Sequence, residues 1–132
     1  ITEEIYLVRR RVEVVTLFQR GSFVLASGQA SRFKLVCDAL LAEEWATVAE
    51  MMRPALGEFG RVEGVPTGGL ALADALRPYA TAGCGRLLIA DDVWTTGGSW
   101  ERHRANRLAY GAVLFARSDP PLHVKALCRI DC

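Results

Sequence analysis

Residues 87–99 read Leu-Leu-Ile-Ala-Asp-Asp-Val-Trp-Thr-Thr-Gly-Gly-Ser, and this stretch narrows the choice of fold more than any other in the chain. The apolar run from Leu87 to Ala90 suits a strand covered on both faces, as in a parallel sheet. Asp91 and Asp92 are then expected at the carboxyl end of that strand, where open α/β sheets bind ligands. Thr95, Thr96, Gly97, Gly98 and Ser99 offer hydroxyls and backbone N–H groups with little side-chain bulk. At an expected helix N-terminus, that is a setting which favours a phosphate. An acid pair beside such a nest suits a phosphorylated sugar. The same residue types also build an N-capped strand-to-helix turn that binds nothing.

A second loop repeats the pattern upstream. Residues 61–76 read as a short strand, a Pro66-Thr67-Gly68-Gly69 turn and an Ala/Leu-rich helix. Glycines at 68 and 69 allow the backbone to approach an anion with no Cβ in the way, and Thr67 adds a hydroxyl. By itself the turn fits any βα connection. A third segment, Ser22 to Leu40, contains Phe23, Leu25, Ser27, Gly28, Ser31 and Phe33 in a Phe-x-Leu-x-Ser-Gly-x-x-Ser frame, with Arg32 and Lys34 as nearby cations.

Together these motifs resemble the type I phosphoribosyltransferases, and the segment around Ser27 and Gly28 is similar to the amino-terminal part of orotate phosphoribosyltransferases. The resemblance covers roughly residues 10 to 118, with the motifs in family order. It implies that Asp91 and Asp92 hold the ribose hydroxyls of phosphoribosyl pyrophosphate (PRPP) as the catalytic pair, and that residues 95–99 wrap its 5′-phosphate. Pro66, Thr67, Gly68 and Gly69 form the pyrophosphate loop, and Ser27, Gly28, Phe33 and Lys34 lie on the base side under a small hood. It further implies Mg²⁺ bound mainly through PRPP with no assured protein ligand, a pyrimidine such as orotate as first acceptor, and a homodimer. Many members carry a lysine just before the Ser-Gly, where this chain has Ala26.

One part of the family pattern is missing. A strand and a long mobile loop bearing a lysine usually separate the pyrophosphate-loop helix from the PRPP strand. Here a helix expected over 70–79 is followed only by Ala-Thr-Ala-Gly-Cys-Gly before the strand at Arg86, and nothing between Gly69 and Leu87 is lysine or histidine. Two functions follow, a compact transferase, or a non-catalytic phosphoribosyl- or nucleotide-binding sensor or partner protein that has lost its lid.

With 132 residues, 51% of them hydrophobic, the chain is expected to form a single domain over 1–132. Sixteen basic against 15 acidic residues leave a net charge of +1, which does not favour nucleic acid as a partner. No apolar run approaches the ~20 residues of a membrane span, so no membrane partner and a cytoplasmic location are expected. Cysteines 37, 84, 128 and 132 lack metal-ligand spacing and are read as packing or surface residues. Arg102, Arg104 and Arg107 are read as the solvated face of a helix, with phosphate binding as the alternative.

Ile5, Val8, Val12 and Val15 recur at helical spacing, as do Trp45, Val48, Ala49, Met52 and Leu56, a helix that Pro54 should disturb near its end. Buried strands are expected at 111–116 and 124–127. The fold class is α/β, a shortened type I phosphoribosyltransferase fold with a mainly parallel sheet of about four strands flanked by helices. Trp94 is expected either to cover the ligand or to bury against the sheet.

Overall fold

The computed structural model describes residues 17–24 and 30–130. These fall into two compact units, one reaching to Leu41 and one starting at Ala42.

The first unit is an antiparallel ribbon of β1 (Phe18–Val24) and β2 (Ala30–Leu35), with Gln19 opposite Lys34 and an irregularity between Arg20 and Phe23. Gly21 and Ser22 occupy that irregularity, consistent with glycine's place in bulged strands. The Val36 N–H closes the base of the ribbon on the Leu17 carbonyl at 2.6 Å, and a 3₁₀ turn, Cys37–Ala39, follows. The apolar stripe at Ile5, Val8, Val12 and Val15 lies outside the described residues.

The second unit begins with α1 (Ala42–Leu56), which buries Trp45, Ala49, Met52 and Leu56, the stripe that the sequence pattern marks. Glu43 and Glu44 in the first turn and Arg53 in the last complement the helix dipole. Pro54 sits within the final turn, so the N–H it lacks and the kink it favours fall at the end of the helix, and Gly57 ends the helix at φ +67°, a left-handed conformation that glycine adopts readily.

There follow β3 (Arg61–Gly64), α2 (Leu70–Leu76), β4 (Leu87–Trp94), α3 (Gly98–Arg104), β5 (Tyr110–Ala116) and β6 (Val124–Arg129). The sheet has the order β3-β4-β5-β6 and every neighbouring pair is parallel. This is the predicted α/β architecture, with four strands.

Three boundaries differ from expectation. The helix after Gly69 stops at Leu76 and tightens into a 3₁₀ turn, Arg77–Tyr79, because Pro78 has no N–H with which to continue it. The last strand extends to Arg129. Most consequentially, β4 does not end before the acids: Asp91 pairs with Val113, Val93 with Phe115 and Trp94 with Ala116, so Asp91 and Asp92 lie inside the strand.

Both faces of the sheet are covered, which is why β4 and β5 read as unbroken apolar runs. The helices α1 and α2 pack on each other, α2 on β3 and β4, and α1 on β5 and β6. Trp100 of α3 enters a core with Val65, Leu87, Ile89, Val113 and Val124. Its ring packs closely on β5 because residue 111 is glycine: a Cβ there would stand 2.9 Å from Trp100 Nε1.

The connection from α2 to β4 is short and tied down. Thr81 N–H donates to the Phe59 carbonyl at 2.7 Å and Gly60 N–H to the Arg86 carbonyl at 2.9 Å, while the Arg86 guanidinium lies 3.5 Å from the centroid of Tyr110. Thus β3 pairs directly with β4, with no strand or extended loop between them.

Candidate functional site

The sequence-marked residues of the second unit come together at the carboxyl ends of β3 and β4. After β3 the chain turns through Val65 to Gly69, held by Val65 N–H to the Ala90 carbonyl at 2.8 Å and by Gly69 N–H to the Val65 carbonyl at 2.8 Å. The Pro66–Thr67 peptide is cis. Two glycines are required by close approach. A Cβ at 69 would stand 2.3 Å from the Ala90 carbonyl oxygen, and one at 68 would stand 2.4 Å from Asp92 Oδ2. Pro66 and Thr67 are exposed at the crest of this turn.

The two acids of the pair sit in different environments. Asp91 is 6% exposed, whereas Asp92 is only half-buried. The reason is the continuation of β4, in which Asp91 still pairs with Val113 of β5. The Asp92 N–H donates to Asp91 Oδ1 and the Val93 N–H to Asp92 Oδ1, both at 2.8 Å. Burial, reinforced by the hydrogen bond and charge of Asp92, pushes the Asp91 carboxyl up from 3.8 to about 8.

The 95–99 loop leaves β4 directly. Gly97 takes φ +85° and its Cα lies on the Trp94 ring, so that a Cβ would meet Cζ2 at 2.3 Å. Trp94 is 6% exposed and 6.0 Å from the ring of Trp100, so it buries beneath the loop, the second of the two roles open to it. Trp100 donates its indole N–H to the Ile89 carbonyl at 3.0 Å, tying the start of α3 to β4. Gly98 N–H approaches Thr96 Oγ1 at 3.4 Å. Among the described residues, the N–H groups of Thr67, Gly68, Thr96 and Gly97 donate to no backbone acceptor, which leaves them available to an anion.

Ser118 was not marked by the sequence, yet its hydroxyl donates to the Thr95 carbonyl, and the Arg117 N–H donates to the Trp94 carbonyl at 2.8 Å. No spacing signal could have identified this support, because it depends on β5 lying beside β4. Of the hood-side residues, Ser27 and Gly28 lie outside the described residues, and Phe33 and Lys34 are on β2. Cys37 is buried, Cys84 half-buried and Cys128 exposed, and Cys132 lies outside the described residues. Among the described residues, no group of three or more His, Cys, Asp or Glu could hold a metal ion, and no helix is long and apolar enough to cross a membrane.

No protein-family model and no curated protein sequence matches the chain. Solved structures do. The orotate phosphoribosyltransferase of Aeropyrum pernix superposes with TM-score 0.65 at 23% identity, covering 95% of this chain and 92% of that one. Leishmania donovani UMP synthase gives TM-score 0.69 at 19% identity over 96% of this chain and 35% of its own. The Mycobacterium tuberculosis H37Rv orotate phosphoribosyltransferase, solved with inorganic phosphate, gives 0.59 at 18% over 97% and 95%. At these identities the likeness is one of fold, and the chain has a type I phosphoribosyltransferase-like fold in a shortened α/β form.

Proposed function

We propose that this protein binds PRPP or a nucleotide 5′-phosphate and transfers the 5-phosphoribosyl group between pyrophosphate and a nitrogenous base, an orotate-like pyrimidine first. The observation that carries the reading is the approach of Gly68 to the Asp92 carboxylate, which sets the 66–69 turn against the acid pair while the 95–99 loop continues from the same strand. Two anion-ready turns flanking two carboxyls match a ligand with phosphate at one end, pyrophosphate at the other and hydroxyls between.

In the proposed reaction a ring nitrogen of the base attacks C1 of the ribose as the bond from C1 to the pyrophosphate oxygen breaks, through a transition state with oxocarbenium character. The chain's share is positioning and electrostatics. Asp92 accepts from a ribose hydroxyl. Asp91, protonated through much of the neutral range, can donate as well as accept. Loop 95–99 anchors the 5′-phosphate, and the amides of Thr67 and Gly68 receive the departing pyrophosphate.

Mg²⁺, when bound, neutralises charge on the pyrophosphate. Two carboxyls with no third metal-ligating neighbour among the described residues fit an ion that draws most of its oxygen ligands from the substrate.

A second reading, binding without transfer, is favoured by the short 80–86 connection, which holds no lysine or histidine. Losing one stabilising donor at a departing group costs about 10²–10³ in rate. Calorimetric titration with PRPP, with and without Mg²⁺, followed by assay for pyrophosphate after adding a panel of bases, separates the two. Base-dependent release supports transfer, binding without release supports the sensor reading, and no binding removes both. A homodimer is proposed from the same likeness, and a monomer by light scattering would overturn it.

A further inference from the structure

Three arginines follow the 95–99 loop, and their surroundings differ. Arg104 Nη2 meets Glu101 Oε2 at 2.7 Å, and Arg107 Nη1 meets Glu63 Oε2 at 2.9 Å, so carboxylates neutralise both. Arg102 is exposed and, among the described residues, makes no ion pair with a carboxylate. Its guanidinium instead folds back onto the loop. Nη2 lies 3.3 Å from Ser99 Oγ, and Nη1 lies 3.2 Å from where a Cβ on Gly98 would stand.

This direction follows from helix geometry, since side chains lean toward the N-terminus and a residue in the second turn overhangs the first. The missing Cβ at Gly98 leaves the path clear.

The charge balance of the loop gives that placement a consequence. From Asp91 to Glu101 the chain holds the acids Asp91, Asp92 and Glu101 and no lysine, arginine or histidine. Backbone amides alone would have to hold a phosphate dianion in that setting. A guanidinium offers a planar fork of donors matched to phosphate oxygens. Its present contact, a long hydrogen bond to a hydroxyl, is cheap to exchange.

We propose that Arg102 is a phosphate-binding residue, its guanidinium joining the amides of loop 95–99 on the 5′-phosphate of the ligand and selecting phosphorylated over unphosphorylated ribose. The inference rests on reading residues 91–99 as a sugar-phosphate site.

The test is calorimetric titration of the full chain with ribose 5-phosphate at two salt concentrations, using the wild type, Arg102→Gln, Arg102→Lys and Arg107→Gln. Arg102→Gln is expected to weaken binding by about tenfold or more and to flatten its salt dependence, with the unfolding temperature unchanged because the side chain is exposed. Arg102→Lys should recover part of the loss by restoring charge without the fork. Arg107→Gln should bind within about twofold of wild type, as expected for a cation already held in a surface pair.

Wild-type affinity in Arg102→Gln would overturn the assignment of Arg102 and leave the site reading standing. Equal losses in Arg102→Gln and Arg107→Gln would also overturn it, as a general surface-charge effect. A wild type that binds neither ribose 5-phosphate nor PRPP would overturn the site reading and Arg102's role together.

Discussion

Gly68 packs against the carboxylate of Asp92 so closely that a methyl group at position 68 would stand 2.4 Å from Oδ2 and 2.6 Å from Cγ. A glycine in one βα turn thereby sets the position of an acid in the neighbouring strand. Gly68→Ala is expected to displace the Asp92 carboxylate and weaken PRPP binding by about tenfold, the order of effect of misplacing one charged hydrogen-bonding group. The unfolding temperature should fall only slightly, since the carboxylate is half-buried and can rotate toward solvent. Titration calorimetry beside thermal unfolding reads both, and unchanged affinity would disconnect Gly68 from the site.

Asp91 makes stability depend on pH. In the folded chain its carboxyl titrates at about 8 against an ordinary 3.8, because burial and the neighbouring Asp92 penalise the charge. The folded state binds that proton more tightly, so the stability it supplies is complete below pH 3.8 and is lost as the pH rises through 8. Asp91→Asn cannot ionise. Its unfolding temperature should match wild type near pH 3, below the ordinary carboxyl value, and exceed it increasingly up to pH 8, there by more than about 5 °C. Parallel pH profiles for the two proteins would show that Asp91 is not the titrating group.

Replacing both acids, Asp91→Asn with Asp92→Asn, is expected to abolish ribose-phosphate binding while the fold persists. The amides keep hydrogen-bonding capacity at the same size but lose the charge. Circular dichroism and titration with ribose 5-phosphate check the two halves of this statement, and retained affinity would move the ligand elsewhere.

Trp100 is expected to matter for stability more than its place in a seven-residue helix implies. Its indole N–H satisfies the Ile89 carbonyl, and its side chain is among the most completely buried in the chain. Trp100→Phe removes the donor and part of the ring, costing about 1–3 kcal/mol for the unsatisfied group and a lowering of Tm by roughly 5–10 °C. Binding should weaken as well, because this bond ties the first turn of α3 to β4 behind the phosphate loop. Thermal unfolding followed by calorimetry tests both effects.

The α/β alternation, the buried runs of β4 and β5 and the two small-residue turns were legible in the order of the residues alone. These features are set by local patterning and by chemistry that only a few residue types supply. The helical stripe Trp45, Ala49, Met52 and Leu56 was legible for the same reason, since helix periodicity is a property of adjacent turns.

Other features depend on residues far apart in the chain and became visible only in the packed molecule. Strand β4 runs past Asp91 and Asp92 because β5 offers Val113 and Phe115 as partners, and that pairing buries Asp91. Gly68 meets Asp92, and Ser118 supports Thr95, because parallel neighbours bring their carboxyl ends to one edge. Arg102 is set apart from Arg104 and Arg107 by which acids lie within reach once Glu63 of β3 and Glu101 of α3 are in place. Spacing in the sequence records which groups the chain carries, and packing sets which of them are buried, paired or left free to meet a ligand.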